Sequence, residues 1–144
     1  MGQEKGPEWS PEHGWPQQDA PIPNDKPAVW DLVLADLGRI NLPYPQQQHI
    51  KQLLIDDIKR RDQAGEKKYG VRLQPCNGRN ALVDAYEESL DAIVYMRQEL
   101  EELTIANSLI ITNERTTQQA YILETYFTQI EISLRLRSKE MYHV

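Results

Sequence analysis

Apolar residues recur at intervals of three and four along most of this chain, which is the spacing of one face of an α-helix. Four stretches carry this pattern, and proline, glycine and Asn-Gly turn signals separate them. Val71–Leu73 is the one β-like stretch, and it is too short to build a sheet. The pattern therefore predicts an all-α fold, a helical bundle arranged around the third helix. The predicted helices run from about Val29 to Gly38, Gln46 to Tyr69, Arg79 to Leu103 and Glu114 to Lys139.

The third predicted helix has two different faces. Its apolar residues gather on one face, and three acids and a tyrosine fall within about 60° of one another on the other. The last helix repeats apolar residues at the same spacings. On the third helix the apolar face is Leu82, Tyr86, Ile93, Met96 and Leu100, and the acidic face is Asp84, Glu88, Asp91 and Tyr95; the last helix carries Ala120, Leu123, Phe127, Ile130 and Leu134.

Residues 1–27 differ in composition from the rest of the chain. They hold six of its nine prolines and show no apolar period. Such a segment cannot bury its own backbone, so we expect a flexible Pro-rich arm. Its two tryptophans, Trp9 and Trp15, are unusual in a solvated tail and can dock on the domain or on a neighbouring subunit. Residues 28–144 are long enough for one domain with one core.

Composition excludes several classes of function. The formal net charge is −6 and no Lys/Arg-rich run is long enough to follow a phosphate backbone, so extended nucleic-acid binding is not expected. The single cysteine, Cys76, cannot form an internal disulfide, which fits a reducing, cytoplasmic setting. No apolar run approaches the roughly 20 residues of a membrane span, and the N-terminus lacks the apolar core of a secretory signal.

The acidic face of the third helix suggests a metal. Acids one turn apart repel each other unless a cation lies among them, and carboxylate oxygens are the ligands that Mg²⁺ prefers. Asp62 and Glu66, four residues apart near the end of the second helix, also share a face. A short loop lets the two helices pack antiparallel, so both sets of acids can surround one cavity. Basic residues that suit a Mg²⁺–nucleotide flank the acids: Lys67, Lys68, Arg72, Arg79 and Arg97.

The order of these acids resembles a known family. Glu87-Glu88-Ser-Leu-Asp91-Ala-Ile-Val-Tyr95 looks like the second metal motif of the MazG-like, all-α nucleoside triphosphate pyrophosphohydrolases: a Glu, two residues, an Asp, then an apolar run with Tyr. Asp62-Gln63-Ala-Gly-Glu66 stands where the family has Glu-Glu, two residues and Glu, and 21 residues separate Glu66 from Glu88. The strings Lys-Lys-Tyr-Gly, Asn-Gly-Arg and Asp-Ala-Tyr-Glu-Glu also resemble small MazG-like proteins of bacteriophages. The resemblance covers about residues 50–102.

The resemblance implies hydrolysis of a nucleoside triphosphate between its α- and β-phosphates, giving monophosphate and pyrophosphate. It implies Mg²⁺ as cofactor, with Mn²⁺ able to replace it. Glu66, Glu88 and Asp91 match the family's catalytic metal ligands, and Asp62 is a shortened fourth. It further implies a homodimer or homotetramer in the cytoplasm (of the host, if a phage encodes the chain), acting on deoxynucleotides such as dGTP or dATP to control the nucleotide pool.

Six residues near these motifs are candidates for substrate binding, and four of them also have a structural explanation. Lys67 and Lys68 lie at a helix C-terminus, where a cation interacts favourably with the helix dipole and could equally bind a phosphate. Tyr69 either stacks on a base or packs beneath the loop. Asn77 belongs first to an Asn-Gly turn. Arg79 lies near a helix start, where the dipole disfavours a cation, and this favours a functional role for it. The six are Lys67, Lys68, Tyr69, Asn77, Arg79 and Tyr95.

Two alternatives remain open at the level of sequence. Gln63 supplies no charge, so the site either holds one strong metal or takes a further oxygen from Asp57 or Asp84. The acidic face is otherwise a solvated helix surface, as charge runs usually are. In that case the chain is a catalytically inactive helical interaction protein that binds a partner through its Trp- and Pro-rich arm.

Overall fold

The computed structural model describes residues 18–107 and 113–141, and within them all regular structure is α-helical. The prediction of an all-α fold is confirmed. None of the helices in this part of the chain has a stretch long and apolar enough to cross a membrane. The chain divides into two compact units, residues 1–79 and residues 80–144. The helices are α1 (Val29–Arg39) and α2 (Pro45–Tyr69) in the first unit, and α3 (Ala81–Asn107) and α4 (Asn113–Met141) in the second.

The helix ends follow local sequence signals. Pro45 opens α2, where its fixed φ suits the first turn and its missing N–H is not needed. Gly70 ends α2 in a left-handed conformation with φ +74°, and its N–H donates to the carbonyl of Glu66 at 2.8 Å. α3 begins two residues later than the pattern predicted, because the Asn80 side chain caps it: its Oδ1 accepts the N–H of Leu82 at 3.0 Å.

In the first unit, the residues before α1 lie antiparallel to the loop that follows α2. The Ile22 N–H donates to the Asn77 carbonyl at 2.9 Å, and further along the Val29 N–H donates to the Leu73 carbonyl at 2.8 Å. Between them the Gln74 side chain takes the place of a backbone partner. Its Oε1 accepts the Asn24 N–H at 3.0 Å and its Nε2 donates to the Asn24 carbonyl at 2.7 Å. Residues 22–29 and 73–77 thus hold each other by hydrogen bonds.

Part of the predicted Pro-rich arm is hydrogen-bonded to the rest of the first unit. Residues 18–27 belong to it, and they hydrogen-bond to the loop after α2 and to Arg79. Trp9 and Trp15 lie outside the described residues. An apolar groove of about 390 Å³ lies elsewhere in this unit, between the end of α1 and the first half of α2. Its lining is Leu37, Ile40, Leu42, Gln46, Gln47, Ile50, Lys51 and Leu54.

The second unit is an antiparallel hairpin of α3 and α4. Two contacts fix its register: the Ser133 hydroxyl donates to the Ser89 hydroxyl at 2.9 Å, and the Gln119 amide donates to the Thr104 hydroxyl at 3.0 Å. Both serines are buried. The α3 residues that face this seam include four of the five apolar residues that the spacing predicted, together with Ser89 and Leu103. They follow one another at three and four residues, as in a coiled coil: Tyr86, Ser89, Ile93, Met96, Leu100 and Leu103.

The seam of α4 does not coincide with its most apolar stripe. Ser133 lies at its centre, together with partly buried Ile122, Tyr126 and Gln129. None of the five apolar residues singled out in the α4 sequence lies at this seam centre, and four of them are exposed: Ala120, Leu123, Phe127 and Leu134. In the described part of the chain only Ala28 and Val83 are buried apolar residues, and no side chain there is fully buried.

Candidate functional site

The acidic face of α3 has the geometry that the sequence predicted. α3 is one unbroken helix, so Glu88, Asp91 and Tyr95 lie on successive turns, turned away from the seam with α4 by about 100° or more at 100° per residue. All three side chains are exposed, and Asp84 on the same stripe is partly exposed. The carboxylates of Glu88 and Asp91 are therefore open to a ligand from solvent.

The two acids at the end of α2 differ sharply in environment. Glu66 is exposed, and its backbone carbonyl accepts the cap of the helix. Asp62 is 8% exposed, the most buried acid among the described residues. A buried carboxylate needs a cationic partner, and Arg72 supplies it. The Arg72 guanidinium donates from Nη2 to Asp62 Oδ2 at 2.6 Å and from Nε to the same oxygen at 3.0 Å.

Arg72 also binds a second acid from a different helix. Its Nη2 donates to Oδ1 of Asp31 at 2.6 Å, and its Nη1 donates to Oδ2 of Asp31 at 3.1 Å. Asp31 lies in the first turn of α1, so one side chain of the loop joins both helices of the unit. These hydrogen bonds from Arg72 lower the pKa of the Asp31 carboxyl, and those to Asp31 and Asp62 raise the pKa of the guanidinium.

The candidate substrate-binding residues fall into two groups. Lys67, Lys68 and Tyr69 are exposed at the end of α2, and the ammonium of Lys68 lies 4.9 Å from the centre of the Tyr69 ring, a cation–π contact. Asn77 and Arg79 instead make hydrogen bonds within the first unit. The Asn77 side chain accepts the N–H of Arg79 at 3.0 Å, and Arg79 Nη1 donates to the carbonyl of residue 19 at 2.7 Å.

The predicted ligands are divided between the two units. Asp62 and Glu66 belong to the first, and Glu88 and Asp91 to the second. Across residues 18–107 and 113–141, no three His, Cys, Asp or Glu side chains form a ready metal-ligand group. The second unit therefore offers a pair of exposed carboxylates on α3. The first unit offers a carboxylate next to two lysines and a tyrosine at the end of α2.

Sequence reasoning missed the contact of Arg72 with two acids. Arg72 was counted among the bases that flank the acids, and Asp31 was not singled out. Asp62 and Arg72 are ten residues apart across a helix end, whereas Asp31 and Arg72 are 41 apart, a separation that no local pattern reports. The buried Ser89, in contrast, leaves a signal in the sequence. Ser89 interrupts an apolar stripe at helical spacing, and a hydroxyl in such a place needs a partner on the facing helix.

Comparisons with known proteins identify no relative: no protein-family model matches the chain, and neither does any curated protein or solved structure.

The Arg72 contacts predict an unequal effect of removing its two acids. Asp62→Asn removes a charge-assisted contact in a buried place, so we expect the free energy of unfolding to fall by about 1–3 kcal/mol. Asp31→Asn removes an exposed partner and is expected to cost less. Chemical denaturation monitored by circular dichroism measures both. An equal loss in the two variants would contradict the structural role given to Asp62.

The lowered pKa of Asp31 predicts how its contribution changes with pH. A carboxyl whose pKa is lower when folded stabilises the protein above its unfolded value of about 3.9, and the contribution disappears as pH falls through the lowered folded value. The stability difference between the wild type and Asp31→Asn should therefore be full at neutral pH and shrink below about pH 3.9. Asp36→Asn, on the same helix, is the matched control and should change little over that range, because Asp36 contacts only Arg39 at the surface.

Proposed function

We propose that the protein is a Mg²⁺-dependent nucleoside triphosphate pyrophosphohydrolase. The observation that carries the proposal is the stripe on α3, where Glu88 and Asp91 present two exposed carboxylates on one face of a rigid helix. Their spacing is that of the MazG-like metal motif they resemble. An all-α fold agrees with that resemblance, and the pyrophosphatase type of bundle is part of the proposal.

The donors available fit a magnesium ion in part. Glu88 and Asp91 on α3 are exposed carboxylates, the oxygen ligands that Mg²⁺ prefers, and they are the residues of the second unit that would hold it. Glu66, in the first unit, is a further exposed carboxylate of the same type. Asp62 does not fit this role in the arrangement observed, because its Oδ2 accepts two hydrogen bonds from Arg72. We therefore assign Asp62 to fixing the end of α2, next to Glu66, and leave it out of the ligand set. The metal, when bound, would neutralise triphosphate oxygens and polarise the α-phosphorus.

The chain's own residues would orient the reactants. A carboxylate of the α3 pair accepts a hydrogen bond from the attacking water and directs it to the α-phosphorus. The water oxygen bonds to that phosphorus as the bond from the phosphorus to the bridging oxygen breaks, and pyrophosphate leaves. Lys67 and Lys68, in the first unit, are exposed cations that suit a phosphate. Tyr69, held against the Lys68 ammonium, presents an exposed ring on which a base can stack. A deoxynucleotide, dGTP or dATP, is the substrate we propose, in the control of a phage nucleotide pool.

Product analysis tests the reaction directly. The purified chain is incubated with each dNTP and rNTP, with and without Mg²⁺, and the products are separated by chromatography. We expect monophosphate and pyrophosphate in equal amounts, only with metal present (Mn²⁺ serving as the substitute). Glu88→Gln and Asp91→Asn should each abolish turnover, since each removes a charged metal ligand while keeping the shape of the side chain.

The control for these variants is Glu124→Gln, the same change at an exposed position of α4. It should retain full activity, and circular dichroism should show unchanged helix content in all three variants. Turnover that survives in both α3 variants would sink the assignment of these residues. Release of single phosphates in place of pyrophosphate would sink the proposed reaction.

A second candidate function is a catalytically inactive interaction protein, and one observation favours it. Asp62, in the first of the two resembling motifs, has its carboxylate engaged by Arg72, so that motif keeps only Glu66 as a free acid. Such a protein would keep the helices and bind a partner through the Trp- and Pro-rich residues 1–27 and its exposed apolar surfaces.

Thermal unfolding separates the two functions. A ligand that binds only the native state raises the melting temperature, and the shift grows with the logarithm of the ligand concentration above its Kd. An enzyme should therefore be stabilised by Mg²⁺ together with a non-hydrolysable triphosphate. We expect a shift for the wild type and none for Glu88→Gln. A wild type whose melting temperature ignores every triphosphate with Mg²⁺ or Mn²⁺ would favour the interaction protein.

A further inference from the structure

The first unit has an apolar groove that α1 and α2 leave open. The groove has a volume of about 390 Å³, and its wall includes Ile50, Ile40 and Leu54, which are 63%, 49% and 47% exposed. The glutamines and the lysine of the lining present mainly their hydrocarbon stems to it. Ligand pockets range from about 300 to 1,000 Å³, so a groove at the small end of that range admits one large apolar side chain.

Residues 1–17, which precede the described part of the chain, match this groove in composition and charge. They contain two large aromatic residues, Trp9 and Trp15. Their three glutamates and one lysine give a formal net charge of −2. Residues 18–79 carry ten Lys and Arg against eight Asp and Glu, which gives +2. The segment and the rest of the unit that holds the groove are therefore opposite in charge, which favours their association.

Cations lie at the groove and along one side of α2 that leads to it. Lys51 lines the groove, and its ammonium donates to the Ile40 carbonyl at 2.7 Å. Arg61 follows Leu54 by seven residues and Lys68 follows Arg61 by seven, so both exposed cations lie on the same face of α2 as the groove wall. A segment that runs from the loop after α2 back to the groove passes its glutamates over these cations.

The length of the segment selects Trp9 over Trp15. The Gln18 carbonyl accepts a hydrogen bond at 3.3 Å from the arginine that ends the loop, and residues 22–29 are hydrogen-bonded to the same loop at the start of α1. The groove begins near Leu37, eight residues or about 12 Å further along α1. Trp15 is three residues from Gln18 and spans at most about 11 Å, whereas Trp9 is nine residues away and spans up to about 30 Å.

We infer that Trp9 occupies the apolar groove of its own chain and ties residues 1–17 back over α2. Gln46 and Gln47 belong to the lining, and a glutamine amide oxygen can accept the indole N–H as the ring is buried. The short tether gives the indole an effective concentration on the order of millimolar, so a weak contact suffices to hold it. A segment docked in this way is withheld from outside partners, and any protein that binds Trp9 competes with the groove.

Fluorine NMR of the full chain, labelled with fluorotryptophan, tests the inference. The chain has three tryptophans, and Trp9→Phe and Trp15→Phe assign their resonances. We expect the Trp9 resonance to lie away from that of the free amino acid and to show little shift between H₂O and D₂O, because its fluorine is shielded from solvent. The Trp15 resonance should show the full solvent shift. Neither result should depend on protein concentration, because the contact lies within one chain.

Two matched variants of α2 test the place of Trp9. Ile50 is 63% exposed and lines the groove, whereas Leu53 is 46% exposed and is not part of the lining. Ile50→Glu puts a charge beneath the indole and repels the glutamates of the segment. The docked-to-free ratio of Trp9 should therefore fall about 100-fold or more, which moves its resonance to the solvent position. Leu53→Glu adds the same charge outside the groove and should change the ratio less than about threefold.

Circular dichroism checks that both variants keep their helix content, and Ile50→Ala provides a milder variant in case Ile50→Glu fails to fold. It removes contact area without adding a charge and should lower the docked-to-free ratio about tenfold. A Trp9 resonance at the solvent position in the wild type would overturn the inference. So would a resonance that stays shielded in a folded Ile50→Glu or in Ile50→Ala, or one that loses its shielding on dilution, since the indole would then lie in the groove of another copy.

Discussion

The first unit depends on one cation that serves two acids. Arg72 binds Asp62 of α2 and Asp31 of α1, and it does so from the loop whose neighbouring residue, Leu73, accepts the first N–H of α1. Buried apolar contacts alone do not fix this unit, because Ala28 is its one buried apolar residue among those described. Directional hydrogen bonds therefore set the geometry of the unit: the guanidinium fork at one point and the Gln74 amide at another.

Local sequence signals predicted the fold class well because they act over a few residues. Helical spacing, Pro45 and Gly70 identified α2 at nearly the correct bounds, and the same spacing identified which face of α3 packs. Contacts between distant segments were out of reach. The pairing of Asn24 with Gln74 joins residues 50 apart, and nothing in either stretch signals the other. The α4 seam was missed for a different reason: hydrophobicity marks every face that becomes buried, and it does not say whether the partner is in the same chain.

α4 carries apolar residues on two faces: the seam around Ser133, and the side of Phe127 and Leu134. A narrow seam with Ser133 at its centre suffices to hold α4 against α3, since two helices need only a strip of contact and a hydrogen bond to set their register. The larger side chains Phe127 and Leu134 remain exposed. The apolar sector of α4 is therefore wider than the strip that packs against α3.

The sequence predicted that the candidate acids of α3 share one face, but it did not predict the environment of Asp62 on α2. From the sequence alone, Asp62 is as good a candidate for a metal ligand as the other acids of the two motifs. In the structure its burial beside Arg72 gives it a different task, because a carboxylate that accepts two hydrogen bonds from a guanidinium through one oxygen would have to lose them before binding a metal. Its shorter side chain, compared with the Glu of the motif it resembles, keeps the charge close to the α2 backbone and within reach of the loop. The departure from the motif at position 62 is therefore explained by what holds the end of α2 in place, beside the exposed carboxylate of Glu66.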